Sequence, residues 1–116
     1  MRPFPGPRMA RPHRLVAAAI LGALAAGLPA RAASVIEFAR QQGCLGCHAA
    51  ATKLVGPAYE DVAAKYKGQT DAVATLVKHI REGGSGRWGE VPMPPQKQLS
   101  EAQARRLATW ILGGAK

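Results

Sequence analysis

Cys44-Leu45-Gly46-Cys47-His48 is the stretch that decides how this chain of 116 residues folds and what it binds. The spacing Cys-x-x-Cys-His is typical of covalent attachment of a c-type haem. Two thiols three residues apart lie on one face of a helical turn, where they can form thioether bonds to the two vinyl groups on one edge of a porphyrin. The histidine that follows then lies over the ring, where an imidazole nitrogen can bind the iron. The motif predicts one haem c, attached through Cys44 and Cys47, with His48 as an axial iron ligand.

The two cysteines also allow other kinds of site. A Cys-x-x-Cys pair occurs in thioredoxin-like redox proteins and forms half of many zinc sites. The thioredoxin-like interpretation calls for a neighbouring βαβ pattern, which the sequence does not show. A zinc site needs about four ligands, and the chain has only 2 cysteines. The motif and its context together favour haem over both alternatives.

The N-terminal segment has the pattern of a secretory signal peptide. A basic start without acidic residues precedes an apolar run over residues 15–28, and Ala30 and Ala32 stand at the −3 and −1 positions of a cleavage site. The apolar run is too short to cross about 30 Å of hydrocarbon, so we predict cleavage after residue 32 rather than an uncleaved anchor. The absence of an Arg-Arg pair before the apolar run favours Sec over Tat export. We therefore expect a periplasmic protein without a permanent membrane anchor, translated from Met1 or from Met9.

Cleavage would leave residues 33–116 as one small domain. Residues 1–32 carry 5 of the 16 basic residues, so 11 basic and 7 acidic residues remain, a net charge of about +4. This modest charge does not indicate binding to nucleic acid. A domain of this size with few aromatic residues has a thin core and usually needs additional stabilisation. A buried porphyrin attached at two points would supply it.

Apolar spacing predicts an all-α domain. No segment alternates convincingly with the period of a β-strand. The helices are predicted over residues 35–42 and 58–67, from a cap at Thr70 or Asp71 to about Glu82, and from a capping box at Ser100 to the stop at Gly113. Pro57 is expected in the first turn of the second helix. The buried faces are expected at Val73, Leu76, Val77 and Ile80, and at Ala104, Leu107, Trp110 and Ile111.

The far side of the iron has few possible ligands. Beyond the signal segment the chain has only His48, His79 and Met93 as usual haem ligands. Met93 lies among prolines in a polar loop, where it fills no core and where the prolines restrict the backbone. His79 lies within the third predicted helix, where a surface or boundary histidine is common. The residues favour Met93 as sixth ligand, with His79 or an open position as the alternatives.

Three segments resemble bacterial class I cytochromes c, and more narrowly the cytochrome c-551 type. They are CLGCH at 44–48, TKLVGPAYEDVAAKYKGQ at 52–69 and GSGRWGEVPMPP at 84–95, followed by a helix ending ATWIL. The resemblance covers nearly all of residues 33–116. It implies a small cytochrome c fold of four to five helices around one covalently bound haem, with the N- and C-terminal helices crossing.

The resemblance also implies roles for single residues. Cys44 and Cys47 match the thioether cysteines, His48 the proximal ligand and Met93 the distal ligand. Three further residues match the haem surroundings: Pro57 as acceptor of the His48 proton, Trp88 as a propionate contact, and His79 near the same propionate. Protonation of that histidine would couple electron uptake to pH.

Two glutamines depart from the family pattern. Gln96 stands where relatives commonly have an asparagine near the methionine sulfur, and Gln42 replaces a lysine common near the exposed haem edge. A less basic docking surface is therefore expected. Steering of partners could involve Lys53, Lys65, Lys67, Arg87 and Lys97, although solvated surface charge is the ordinary role of such residues.

The function that the resemblance implies is single-electron transfer and not catalysis. The expected donor is a membrane quinol-oxidising cytochrome bc complex, and the expected acceptors are a haem-type nitrite reductase, a terminal oxidase or a peroxidase. The carrier is expected to be a monomer that docks at the thioether edge through a small, weak interface. The alternative is an open distal iron site, as in a peroxidase-like enzyme or a gas sensor.

Overall fold

Four α-helices and one short 3-10 turn form the domain in the computed structural model, which describes residues 34–116 together with Pro3, Phe4 and Gly6. The predicted signal peptide otherwise lies outside the described residues. The helices are α1 (Val35–Gln41), α2 (Tyr59–Tyr66), α3 (Ala72–Glu82) and α4 (Glu101–Leu112), and the 3-10 turn is Cys44–Gly46. Within the described residues the only β pairing is a single antiparallel bridge between Gly84 and Met93. The prediction of an all-helical fold with four to five helices is confirmed.

Local side-chain chemistry begins two of these helices. At α4, the Gln103 amide donates to Ser100 Oγ over 3.1 Å, and the Ser100 amide donates to Gln103 Oε1 over 2.9 Å, which completes the predicted capping box. At α1, Ser34 Oγ accepts from an amide of the first turn. Asp71 precedes α3 as predicted, but its carboxylate accepts from Thr75 Oγ1 at 3.4 Å instead of capping an amide.

The start of α2 corrects the sequence prediction. The helix begins at Tyr59 and not at Ala58, so Pro57 lies before the helix and not in its first turn. The amides of Tyr59 and Glu60 donate over 2.9 Å to the carbonyls of Ala49 and Ala50, in the segment after the haem motif. This pairing with a distant segment, which no local signal encodes, keeps Ala58 extended.

The core lies where α4 packs against α1, α2 and α3. Leu99 and Leu107 are each only 2 % exposed. The predicted inner face of α3 is buried at Leu76, Val77 and Ile80, and Val73 is half-buried. Among the described residues, no helix is long and apolar enough to cross a membrane. Helices α2, α3 and α4, the segment between α1 and α2, and the loop after α3 line a large cavity, which contains the candidate site.

Candidate functional site

All seven predicted site residues line a single cavity of about 710 Å³. They come from four parts of the chain: the 3-10 turn with the two residues that follow it, the segment before α2, helix α3, and the loop between α3 and α4. These residues are Cys44, Cys47, His48, Pro57, His79, Trp88 and Met93. The fold therefore brings together residues that are up to 49 positions apart in the sequence.

The two thiols lie at the two ends of a tight turn. Gly43 precedes the turn with a φ of +78°, a backbone conformation that glycine adopts without strain. The amides of Cys47 and His48 both donate to the carbonyl of Cys44, at 3.2 and 3.0 Å. Cys47 is exposed and Cys44 is half-buried, and burial raises the pKa of the Cys44 thiol. The edge of the cavity that carries the thiols is thus open to solvent at Cys47.

The His48 ring is held from two sides. Its Nδ1 lies 2.8 Å from the carbonyl oxygen of Pro57. Because a carbonyl oxygen can only accept, Nδ1 carries the proton in this hydrogen bond and Nε2 keeps the lone pair that can bind a metal. The ring also stacks on Tyr59, with centroids 5.2 Å apart and planes 15° from parallel, and Tyr59 in turn meets Trp110 edge-on at 5.3 Å. The imidazole therefore has a fixed tautomer and a fixed orientation.

Gly56 is a functional residue that sequence reasoning missed. A Cβ at this position would lie 2.8 Å from His48 Nδ1 and 2.9 Å from Nε2, and closer still to Cε1. Real Cβ atoms do not come this close to other atoms, so only glycine lets the backbone lie against the ring. No local sequence pattern marks Gly56 for this role, because the close approach to His48 is visible only in three dimensions.

The backbone around Met93 is paired with the end of α3. The Met93 amide donates to the Gly84 carbonyl at 2.8 Å, and the Gly84 amide donates to the Met93 carbonyl at 3.0 Å. At Gly83 the chain has a φ of +66°, and a Cβ there would lie 2.7 Å from the Pro95 nitrogen. The Met93 side chain, half-buried, lines the cavity. The end of α3 thus fixes where this methionine enters the site.

Gln96 anchors the same loop from its other side. Its backbone amide donates to the Ile80 carbonyl at 3.0 Å, and its side-chain amide donates to the Pro94 carbonyl at 3.0 Å. Gln98 then donates to Gln96 Oε1 at 2.9 Å. The side chain of Gln96 is therefore engaged with the loop backbone next to Met93.

The end of the cavity at His79 is positively charged. Nδ1 of His79 lies 3.5 Å from the Tyr66 hydroxyl. Burial lowers the pKa of His79, and the nearby charges of Arg87, Lys78 and Lys65 lower it further. Lys65, from α2, donates to the Arg87 carbonyl at 2.9 Å and lies 4.4 Å from the Trp88 ring centroid. These two cations were candidates for partner steering, and the structure shows that both have contacts within the protein.

The cavity suits a covalently attached haem. Its volume is within the range of about 300–1,000 Å³ that is typical of pockets for cofactors and drug-sized ligands. The thiols of Cys44 and Cys47 lie at one edge, and the imidazole of His48 has its Nε2 available for a metal. Cations and an indole lie at the end formed by His79 and Trp88, where they could meet acidic groups of a ligand. The donor set is that of a haem c, which supplies two thioether positions and an iron.

Known proteins resemble this chain in sequence. The family model described as Cytochrome c matches residues 33–115. The chain is 55 % identical over 76 residues to cytochrome c-552 of Hydrogenobacter thermophilus, a match that covers 66 % of this chain and 76 % of the relative. It is 50 % identical over 76 residues to cytochrome c-551 of Azotobacter vinelandii, a match that covers 66 % of this chain and 92 % of that relative.

A solved structure extends the likeness to the fold. The crystal structure of wild-type Nitrosomonas europaea cytochrome c552 is 46 % identical in sequence and superimposes with a TM-score of 0.66. The match covers 68 % of this chain and 98 % of that one. The Cys44, Cys47 and His48 motif within such a family implies one covalent haem c. The chain thus belongs to the cytochrome c family as a mono-haem protein of the c-551/c-552 type, an electron carrier and not an enzyme.

Proposed function

We propose that this protein carries single electrons in the periplasm, with His48 and Met93 as the two axial ligands of its haem iron. The observation that carries the proposal is that one cavity holds the two motif thiols, the His48 imidazole and the Met93 side chain, and that Met93 is paired through its backbone with Gly84. The haem, when bound, supplies exchange of one electron between ferrous and ferric iron. A neutral thioether ligand favours the ferrous state and raises the potential.

The residues of the chain orient this site. Pro57 holds the proton of His48 at Nδ1 and leaves Nε2 for the iron. Tyr59 lies against one face of the ring and restricts its rotation. Burial raises the pKa of the Tyr59 hydroxyl, which stays protonated and uncharged beside the ligand. Together these contacts keep the His48 ring still, so little reorganisation is needed when the charge of the site changes.

His79 and Trp88 are proposed to contact the haem propionates. Both line the cavity at the end where Lys65 and Arg87 add positive charge. A propionate there would find hydrogen-bond donors in an indole N–H and an imidazole N–H, with favourable charges around it. Protonation of His79 would then favour the added electron, which couples electron uptake to pH.

Redox partners are proposed to dock at the mouth of the cavity. Cys47 is exposed there, and three cavity-lining apolar residues are strongly exposed, namely Leu54 at 47 %, Val55 at 59 % and Val91 at 64 %. An exposed apolar patch of this kind is typical of an interaction site. With the modest positive charge nearby, it suits the weak, transient interface of an electron carrier. The proposed donor is a membrane cytochrome bc complex, and the proposed acceptor is a haem-type nitrite reductase, terminal oxidase or peroxidase.

Export by the Sec pathway is part of the proposal. The signal-like composition of residues 1–32, together with a family match that begins at residue 33, supports cleavage after Ala32. Expression of the full chain with a haem-attachment system should yield a periplasmic haem protein whose N-terminus is Ala33. A mature protein that keeps residues 1–32 would contradict the signal assignment and leave the ligand assignment unaffected.

The axial ligands are tested by absorption spectroscopy of the haem-loaded protein. Wild type should give a low-spin c-type spectrum with the weak far-red methionine–iron band, and Met93→Ala should lose that band. His79→Gln is the matched control, because His79 is the other candidate ligand, and it should keep the band. Persistence of the band in Met93→Ala would show that Met93 is not the ligand. A high-spin ferric wild type that binds cyanide rapidly would favour the open-site alternative.

A further inference from the structure

The loop that carries Met93 is held by few contacts of its own. Residues 83–93, which we call the Met93 hairpin, are closed at the base by the two hydrogen bonds between Gly84 and Met93, and nearer the tip by a 2.7 Å bond from the Gly86 amide to the Gly89 carbonyl. Every residue from 84 to 92 is exposed. Because apolar burial contributes little to an exposed segment, the position of its tip depends on specific polar contacts.

Lys65 supplies two of those contacts. This residue lies in the last turn of α2, 22 positions before Arg87. Its ammonium donates to the Arg87 carbonyl at 2.9 Å and lies 4.4 Å from the centroid of the Trp88 ring. A lysine ammonium has three donors and no acceptor, so one group can bond a carbonyl and also interact with the face of an indole.

Arg87 continues the connection to the base of the hairpin. Its guanidinium Nη2 donates at 2.9 Å to the carbonyl of Gly83, the residue that ends α3. Next to it, Gly84 makes both backbone bonds to Met93. A continuous path of contacts therefore leads from Lys65 on α2, through Arg87, to the backbone that places Met93.

We propose that Lys65 is a positioning residue that fixes the Met93 hairpin on α2 and thereby holds Met93 and Trp88 in place. The expected effect of Lys65 on the iron rests on the proposed function, in which Met93 is an iron ligand. The expected effect of Lys65 on the hairpin does not depend on that ligation. A hydrogen bond from a charged donor is stronger than one between neutral groups, and the cation–π contact adds to it. Loss of Lys65 should loosen the hairpin while the helical core stays intact.

The test compares four haem-loaded proteins: wild type, Lys65→Met, Lys65→Arg and the control Lys67→Met. Methionine keeps an unbranched apolar stem and suits a helix, but removes the ammonium. Lys67 is an exposed lysine just after α2. Amide hydrogen exchange followed by NMR should be about tenfold faster at Gly84 and Met93 in Lys65→Met, and unchanged at Leu107 in α4. Lys65→Arg should restore most of the protection, because a guanidinium can make both contacts.

A second readout concerns the iron. In Lys65→Met the far-red band should disappear on heating at a lower temperature than in wild type. The melting temperature of the helices, followed by circular dichroism, should stay within a few degrees of the wild-type value. The proposal is overturned if exchange at Gly84 and Met93 matches that of wild type or of Lys67→Met. Equal acceleration at Leu107 would overturn it too, because the effect would then be global. If Met93 is not the ligand, wild type lacks the band from the start, and the exchange measurement still decides the role of Lys65.

Discussion

Replacing Gly56 by alanine tests the close approach on which the His48 site depends. The added Cβ would lie 2.8 Å from His48 Nδ1 and 2.9 Å from Nε2, whereas non-bonded heavy atoms prefer about 3.5–4.0 Å. The ring cannot move away freely, because Nδ1 is bonded to the Pro57 carbonyl and one face lies against Tyr59. Overpacking of this kind costs about 1–3 kcal/mol, and a lost hydrogen bond adds about 0.5–1.5 kcal/mol.

The expected loss of stability in Gly56→Ala is therefore roughly 2–4 kcal/mol. For a domain of this size it corresponds to a fall in the melting temperature of roughly 10–30 °C. Both losses are measured by thermal and urea unfolding of the haem-loaded protein, followed by circular dichroism. A displaced His48 ring should also change the midpoint potential, since the ring would lose its bond to Pro57.

Gly46→Ala is the matched control for that experiment. Gly46 lies between the two cysteines, yet a Cβ there meets nothing within 4 Å and Gly46 does not line the cavity. Alanine should be tolerated and could add about 0.4–1 kcal/mol by restricting the unfolded chain. The reasoning about the His48 ring would be refuted if Gly56→Ala had the same melting temperature as Gly46→Ala and kept the wild-type midpoint potential.

Three further predictions concern the core, a helix cap and a titrating group. Leu107→Ala should lower the free energy of unfolding, measured with urea, by about 2–5 kcal/mol, because this leucine is 2 % exposed in the core. A loss below about 1 kcal/mol would contradict its place in the core. Ser100→Ala should cost about 1 kcal/mol through loss of the capping box at α4, and an unchanged urea midpoint would argue against that cap. Burial and nearby cations lower the pKa of His79, and a protonated imidazole beside the haem favours the added electron, so the midpoint potential should rise as the pH falls. Potentiometric titration of His79→Gln should show a flatter dependence, and an unchanged slope would remove His79 from the coupling.

The sequence predicts best what depends on neighbouring residues. The capping box at Ser100 depends on a hydroxyl and a glutamine three positions apart, and the structure contains both of its hydrogen bonds. The buried face of α3 follows from apolar residues at helical spacing, and Leu76, Val77 and Ile80 are buried. Both features depend on chemistry within about two turns of one helix, which a single sequence displays directly.

What the sequence could not provide depends on contacts between distant segments. Pro57 looked like a first-turn proline, but pairing of the Tyr59 and Glu60 amides with the segment after His48 delays the helix. Lys65 looked like solvated charge, because its acceptor is 22 residues away on an exposed hairpin. The motif predicted that the cysteines and His48 belong together, and the short list of possible ligands together with the family resemblance added Met93. The structure adds how each is held.

The two sides of the site are held in different ways, and this difference affects how the protein responds to stress. His48 is fixed by a hydrogen bond to Pro57, by stacking on the buried Tyr59 and by the close backbone of Gly56. Met93 depends on two backbone bonds to Gly84 within an exposed hairpin, whose tip is held by Lys65, and on the anchoring of the following residues by Gln96. Contacts with the core open only when the domain unfolds, whereas an exposed hairpin opens in local fluctuations of lower free energy. Heat should therefore release the methionine side first, while the histidine side stays formed until the helices melt.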